Sequence, residues 1–127
     1  LFPYTTLFRS RDGSPASMVF DEIDTGIGGR TAQMVAERIA MVAAHRQVLC
    51  ITHLPQIACM ADTHLYISKH VIDNQTSTVI HPLTTGERVN EIARMASGAN
   101  VSSASLDNAR EMIAYAGVKK EEYKKNG

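Results

Sequence analysis

Met18-Val19-Phe20-Asp21-Glu22, followed by Ile23-Asp24, is the stretch on which the fold turns. Met, Val and Phe in unbroken succession suit a strand of a parallel sheet, which is apolar throughout because both of its faces are covered. Two carboxylates at the end of such a strand are costly unless positive charge lies against them. In parallel α/β sheets, ligands bind beyond the carboxyl ends of the strands. The pattern therefore points to phosphate chemistry through Mg²⁺. The first carboxylate would hold the metal, through water because Mg²⁺ dehydrates reluctantly. The second would orient or deprotonate an attacking water.

Working outward, Thr25-Gly26-Ile27-Gly28-Gly29 reads as a flexible turn, its glycines allowing positive φ and close backbone approach. A helix is expected from about 30 to 44, because Ala32, Val35, Ala36, Ile39 and Ala43 share one helical face. Gln47 to Ile51 reads as a second buried strand. Strand, helix and strand at this spacing make a βαβ unit with parallel strands. Thr52-His53 then sits where the second strand ends, so its imidazole and the first strand's carboxylates are expected to face one crevice. Leu54-Pro55 opens a short helix through Met60, with Pro near its first position. Two strands, 63–71 and 77–82, are expected around a turn at Asp73-Asn74-Gln75. Glu87 to Ala96 reads as a helix with Val89, Ile92, Ala93 and Ala96 on its apolar face and Gly98 just past its end. Ser102 or Ser103 would cap a last helix. That helix carries Leu106, Ala109, Ile113 and Ala116 and is expected to stop at Gly117, leaving 118–127 as a charged flexible tail. The expected fold class is α/β: a parallel βαβ core plus a hairpin and two C-terminal helices.

A chain of 127 residues with 44% apolar content makes one domain with a core. Its 13 basic and 13 acidic residues cancel, so no basic field announces nucleic acid. Cys50 and Cys59 form no CxxC pair and read as buried free thiols in a reducing compartment. No apolar stretch approaches the ~20 residues that span a bilayer. His45, His64, His70 and His81 lack ligand-like spacing and read as surface or structural. Arg30, Arg38 and Arg46 fall on the exposed side of the first helix; Arg88 and Arg94 could contact phosphate or DNA, but read rather as a solvated face of a later one. Leu1 to Ser10 fit nothing that follows. They resemble the translation of a sequencing adapter and are expected to be non-native rather than a genuine strand or loop rich in Phe and Tyr, so residues 11–117 would form the domain.

Three segments carry a resemblance: Val19 to Gly29, Gln47 to Ala58 and Glu87 to Gly98. Together they resemble ABC-type ATPases of the SMC-like class, and within that class the RecN-like family of DNA repair proteins, over about residues 16–117. The resemblance implies part of a P-loop NTPase head. It makes Asp21 the Walker B aspartate, holding Mg²⁺ through water, and Glu22 the catalytic base. Asp24 to Gly28 becomes the D-loop that crosses a dimer interface, with Asp24, Gly26 and Gly28 beside the nucleotide. His53 becomes the switch histidine, and Thr52 either orients it or simply ends the strand. ATP and Mg²⁺ are the implied cofactors. The implied partners are the N-terminal half of the ATPase head, a second head in a head-to-head homodimer, and DNA held through other parts of the protein. The implied setting is recombinational double-strand-break repair in the bacterial cytoplasm, at the nucleoid.

Two other readings stand beside this one. A metal-dependent phosphohydrolase would use Asp21, Asp24 and His53 as direct ligands. A non-catalytic interaction module would dock a partner through the glycine turn and the helices. The 127 residues contain no G-x-x-x-x-G-K-[ST] loop and no Gly-Lys pair, and Arg11 to Ala16 does not supply the Ser- and Gly-rich signature segment expected before Ser17. An amide nest and a lysine for the β- and γ-phosphates are therefore missing from these residues. The chain by itself is expected neither to hydrolyse ATP nor to bind it tightly. Calorimetric titration with Mg-ATP should give no micromolar Kd, and a micromolar Kd would contradict the expectation.

Overall fold

The computed structural model describes residues 5–9, 15–21 and 26–126. In chain order these form β1 (Thr5–Arg9), β2 (Pro15–Phe20), α1 (Gly29–Ala43), β3 (Gln47–Cys50), α2 (Pro55–Ala58), β4 (Leu65–Ile72), β5 (Gln75–Pro82), α3 (Thr85–Ser97) and α4 (Ser103–Lys125). The fold is mixed α/β. One sheet has the order β1-β2-β3, and a separate two-stranded sheet pairs β4 with β5. Within the adapter-like segment, β1 pairs antiparallel with β2, from Thr5↔Phe20 to Phe8↔Ser17. An open strand edge offers such pairing to any extended segment, and the pairing is independent of where residues 1–10 originate.

β2 and β3 are parallel, with α1 as the crossover between them. Alternation sends Met18, Phe20, Val48 and Cys50 into the core. The opposite face carries Val19, Leu49 and Ile51, the last two 49% and 52% exposed. Both faces were expected to be buried. Among the described residues only one is, because the four helices contribute to a single core cluster with Phe20.

That core is built largely from small side chains. α1 buries Ala32, Ala36, Ile39 and Ala40, α3 buries Ile92 and Ala93, and α4 buries Ala109 and Ala116. Alanine at the crossings lets the helices approach closely. Ile92 is the largest fully buried side chain, and burial of this size contributes about 1.5–3 kcal/mol. The expected Ala96 is instead exposed.

Three boundaries differ from expectation for identifiable reasons. β4 and β5 are joined by only two residues, Asp73 and Asn74, at φ 51° and 60°. This is the turn with positive φ at both central residues that matches strand twist, and it lets β5 begin at Gln75. α3 starts before Glu87 because Thr84 caps it, its Oγ1 accepting from the Glu87 amide at 3.3 Å. α4, capped by Ser102 with Ser105 reciprocating, does not stop at Gly117 but runs to Lys125. A helical glycine costs only about 0.5–1 kcal/mol. The far half of α4 offsets that through tertiary contacts: Tyr123 packs on the core, Lys120 Nζ donates to Ala61 O at 3.2 Å, and Lys120 pairs with Asp62 at 3.0 Å. Most of residues 118–127 is therefore helix rather than a tail.

His64, in the connection from α2 to β4, has a buried Nδ1 without a hydrogen-bond partner among the described residues. Burial lowers its pKa from the ordinary 6.5, the nearby Arg88 charge lowers it further, and Glu91 opposes. The unfolded chain then binds this proton more readily than the folded one, so stability is full above about pH 6.5 and falls as pH drops toward the folded value. His64→Leu should flatten the decline in urea midpoint between pH 7 and pH 5. An unchanged decline in the variant would contradict this origin.

Candidate functional site at the carboxyl edge of the parallel strands

The ladder runs from Ser17↔Gln47 to Phe20↔Cys50. It extends one step further, where the Ile51 amide donates to Phe20 O at 2.9 Å. At its opening end Ser17 Oγ donates to Gln47 Oε1 at 2.6 Å. Asp21 follows Phe20 directly and is exposed at the strand's carboxyl end. Thr52 and the exposed His53 follow Ile51 off the same edge. Parallel pairing in this register therefore brings the chain segments of Asp21 and His53 to one side of the sheet. Glu22 and Asp24 lie outside the described residues. Gly26 has φ 76°, a left-handed conformation that glycine adopts without strain. Gly28 is extended and forms the N-cap of α1, contributing no side-chain cap. A Cβ built on Gly28 would meet nothing within 4 Å, so nothing described in this chain requires glycine there.

Thr52 turns the chain. Its Oγ1 accepts the Leu54 amide at 3.0 Å, closing a tight hydroxyl-backed turn. Leu54 is the extended N-cap of α2 and Pro55 the first helical residue, where a missing N–H does no harm. The turn holding His53 is thus welded to the start of a buried helix.

The other end of α2 shows what sequence reading missed. Arg88 is half-buried rather than solvated. Its Nη2 donates to Cys59 O and Ala61 O, each at 2.8 Å, and to Ala58 O at 3.4 Å. The guanidinium thus sits at the carboxyl end of α2, the negative end of its dipole, where it shares Ala58 O with the Ala61 amide and takes up Cys59 O and Ala61 O just past the helix. One available signal was spacing: Arg88 lies four residues before Ile92, on the apolar side of α3. Burial lowers the Arg88 pKa from its ordinary value, opposed by Cys59 and Asp62. The same burial pushes the Cys59 thiol up to about 11, against the Arg88 charge. Its Sγ donates to Gln56 O at 3.1 Å, so Cys59 is a protonated structural thiol rather than a nucleophile.

Among the described residues no group of three or more His, Cys, Asp and Glu could hold a metal ion. Asp24, which a direct-ligand site would need, falls outside them. Cavities of about 280 and 580 Å³ are lined from the α3 side, the first by residues including His64 and Arg88, the second by Tyr66 and Arg94. Neither includes Asp21 or His53. Among the described residues no helix is long and apolar enough to cross a membrane.

No protein-family model matches the chain. Individual relatives do. The chain is 51% identical over 100 residues to the DNA repair protein RecN of Bacillus subtilis, covering 79% of this chain and 17% of that protein. It is 45% identical over 108 residues to the RecN of Halalkalibacterium halodurans, covering 85% of this chain and 19% of that protein. It is 51% identical over 98 residues to the RecN of Deinococcus radiodurans, covering 77% of this chain and 17% of that protein. The chain spans less than a fifth of the length of these curated relatives. It belongs, as one segment of such a protein, to the family of the DNA repair protein RecN.

Proposed function

We propose that this chain is the Walker B, D-loop and switch-histidine part of an ATP-hydrolysing head, in a RecN-type protein acting in recombinational double-strand-break repair. The observation that carries the reading is the parallel register, Phe20 opposite Cys50, which puts Asp21 and the Thr52-His53 turn at one sheet edge. The RecN relatives supply the repair context through their names.

In this reading Asp21 holds Mg²⁺, through water. The donor chemistry fits, because Mg²⁺ takes one or two carboxylates and fills its shell with water and phosphate oxygens. Asp21 is exposed where such a shell has room. When bound, Mg²⁺ neutralises charge on the triphosphate of ATP. Glu22 orients the attacking water and accepts its proton. His53 donates a hydrogen bond toward the terminal phosphate, on a turn that Thr52 holds shut. Asp24 to Gly28 is the D-loop facing a second head, and that partner's close approach would account for glycine at 28, where no described residue lies within 4 Å of an added Cβ. The phosphate loop and the signature segment belong to the N-terminal half of the head, and DNA is held by other parts. A phosphohydrolase using Asp21, Asp24 and His53 as direct ligands has no specific observation in its favour.

The test uses a full-length RecN-family protein carrying this segment. Glu22→Gln should lower kcat by about 10²–10⁴-fold, the usual contribution of a general base, while nucleotide binding survives. Turnover left intact by Glu22→Gln would remove the catalytic assignment.

A further inference from the structure

α2 has only four residues, Pro55–Ala58. A helix that short does not hold its shape on propensity, because nucleation is unfavourable and little propagation follows. Its geometry must come from outside. At its start it has Pro55 and the Thr52 hydroxyl turn. At its end, Arg88 from α3 reaches the Ala58, Cys59 and Ala61 carbonyls, and Lys120 from α4 adds a second donor on Ala61 O, at 3.2 Å, together with its pair to Asp62. Buried Ile57, Ala58, Cys59 and Met60 lock the segment into the core between these ends. Only Leu54 separates His53 from the first residue of α2, so displacement of α2 moves the histidine turn with it.

We infer that Arg88, assisted by Lys120, is a positioning residue for the Thr52-His53 turn, acting through the carbonyl end of α2. It touches no substrate in this account. The two cations make α3 and α4 part of the apparatus that sets the histidine's place. A charge-assisted bond to a helix-end carbonyl is stronger than a neutral one. The planar guanidinium is also pre-organised, so less side-chain freedom is lost per hydrogen bond formed than with a lysine ammonium. Describing the positioned group as a switch histidine rests on the ATPase reading, whereas the anchoring of the turn does not.

The test is amide hydrogen exchange by NMR on the 127-residue chain, without nucleotide, in Arg88→Met, Arg88→Lys and Lys120→Met. The reporters are the Leu54 and Cys59 amides, which donate to Thr52 Oγ1 and Pro55 O. The reference amides are Ala36 and Ile39 in α1. Arg88→Met should raise exchange at Leu54 and Cys59 by about tenfold or more relative to α1, through local opening, and should shift the His53 ring signals. Arg88→Lys should restore part of the protection, and Lys120→Met should give a smaller change of the same sign. If Arg88→Met does not fold, the other two variants make the same comparison. Reporter and reference amides changing by one common factor in the folded variants, with His53 signals unmoved, would overturn the inference. Because no nucleotide is used, this result is independent of the Glu22→Gln assay: an intact anchor with unaffected turnover would remove the ATPase reading alone.

Discussion

The site inherits its geometry from the parallel ladder between β2 and β3. A strand's side chains alternate, so a one-residue slip would exchange its faces. Here a slip would expel Phe20, which is 4% exposed, and bring in Val19. Hydrophobic pattern alone resists that weakly, since both faces of these strands are apolar. What singles out the register is the shape of the pocket filled by Met18, Phe20, Val48 and Cys50, with the Ser17–Gln47 bond at one end and the Ile51–Phe20 bond at the other. Once the ladder is set, the residues following each strand leave the sheet together. Asp21 and His53, thirty-two positions apart in sequence, then share an edge.

The second constraint is electrostatic. α2 ends beside partly buried carbonyls, those of Cys59 and Ala61, and such groups are expensive when unpaired. The chain answers with Arg88 and Lys120, from helices that follow the hairpin. This links the C-terminal helix pair to the sheet edge without any strand between them. It also accounts for the length of α4: its last two turns exist because Lys120 and Tyr123 have places to dock. The surface ion pairs along α4, three residues apart and mostly exposed, contribute little by comparison.

Much of this was legible in the sequence because local signals agreed with the global fold. The unbroken apolar runs at 18–20 and 48–51, the alanine-rich face of α1, Pro55 at the head of α2 and Gly98 past α3 each have a local cause and appear where expected. The misses have tertiary causes or overlooked local ones. Gly117 reads as a stop, yet the helix passes through it because of contacts made beyond it. Arg88 reads as solvent-facing by residue type, although its spacing from Ile92 pointed inward. The Thr84-x-x-Glu87 spacing was a cap signal in plain view, and the turn expected at Asp73-Asn74-Gln75 forms there but is closed by Asp73 and Asn74 alone. Coverage of only one sheet face could not be foreseen, since unbroken apolar strands imply two. For the site, sequence places Asp21 and His53 at a common edge, and the register agrees. Glu22 and Asp24 are known by sequence alone, because they lie outside the described residues.

The most direct measurement of the central claim is the set of cross-strand nuclear Overhauser contacts, with amide protection, around Phe20 and Ile51 in the 127-residue chain. The account predicts a protected Ile51 amide with contacts to Phe20 and Asp21, in the staggered pattern of parallel strands. An antiparallel pattern, pairing Gln47 with Phe20 and carrying His53 to the opposite edge from Asp21, would contradict it.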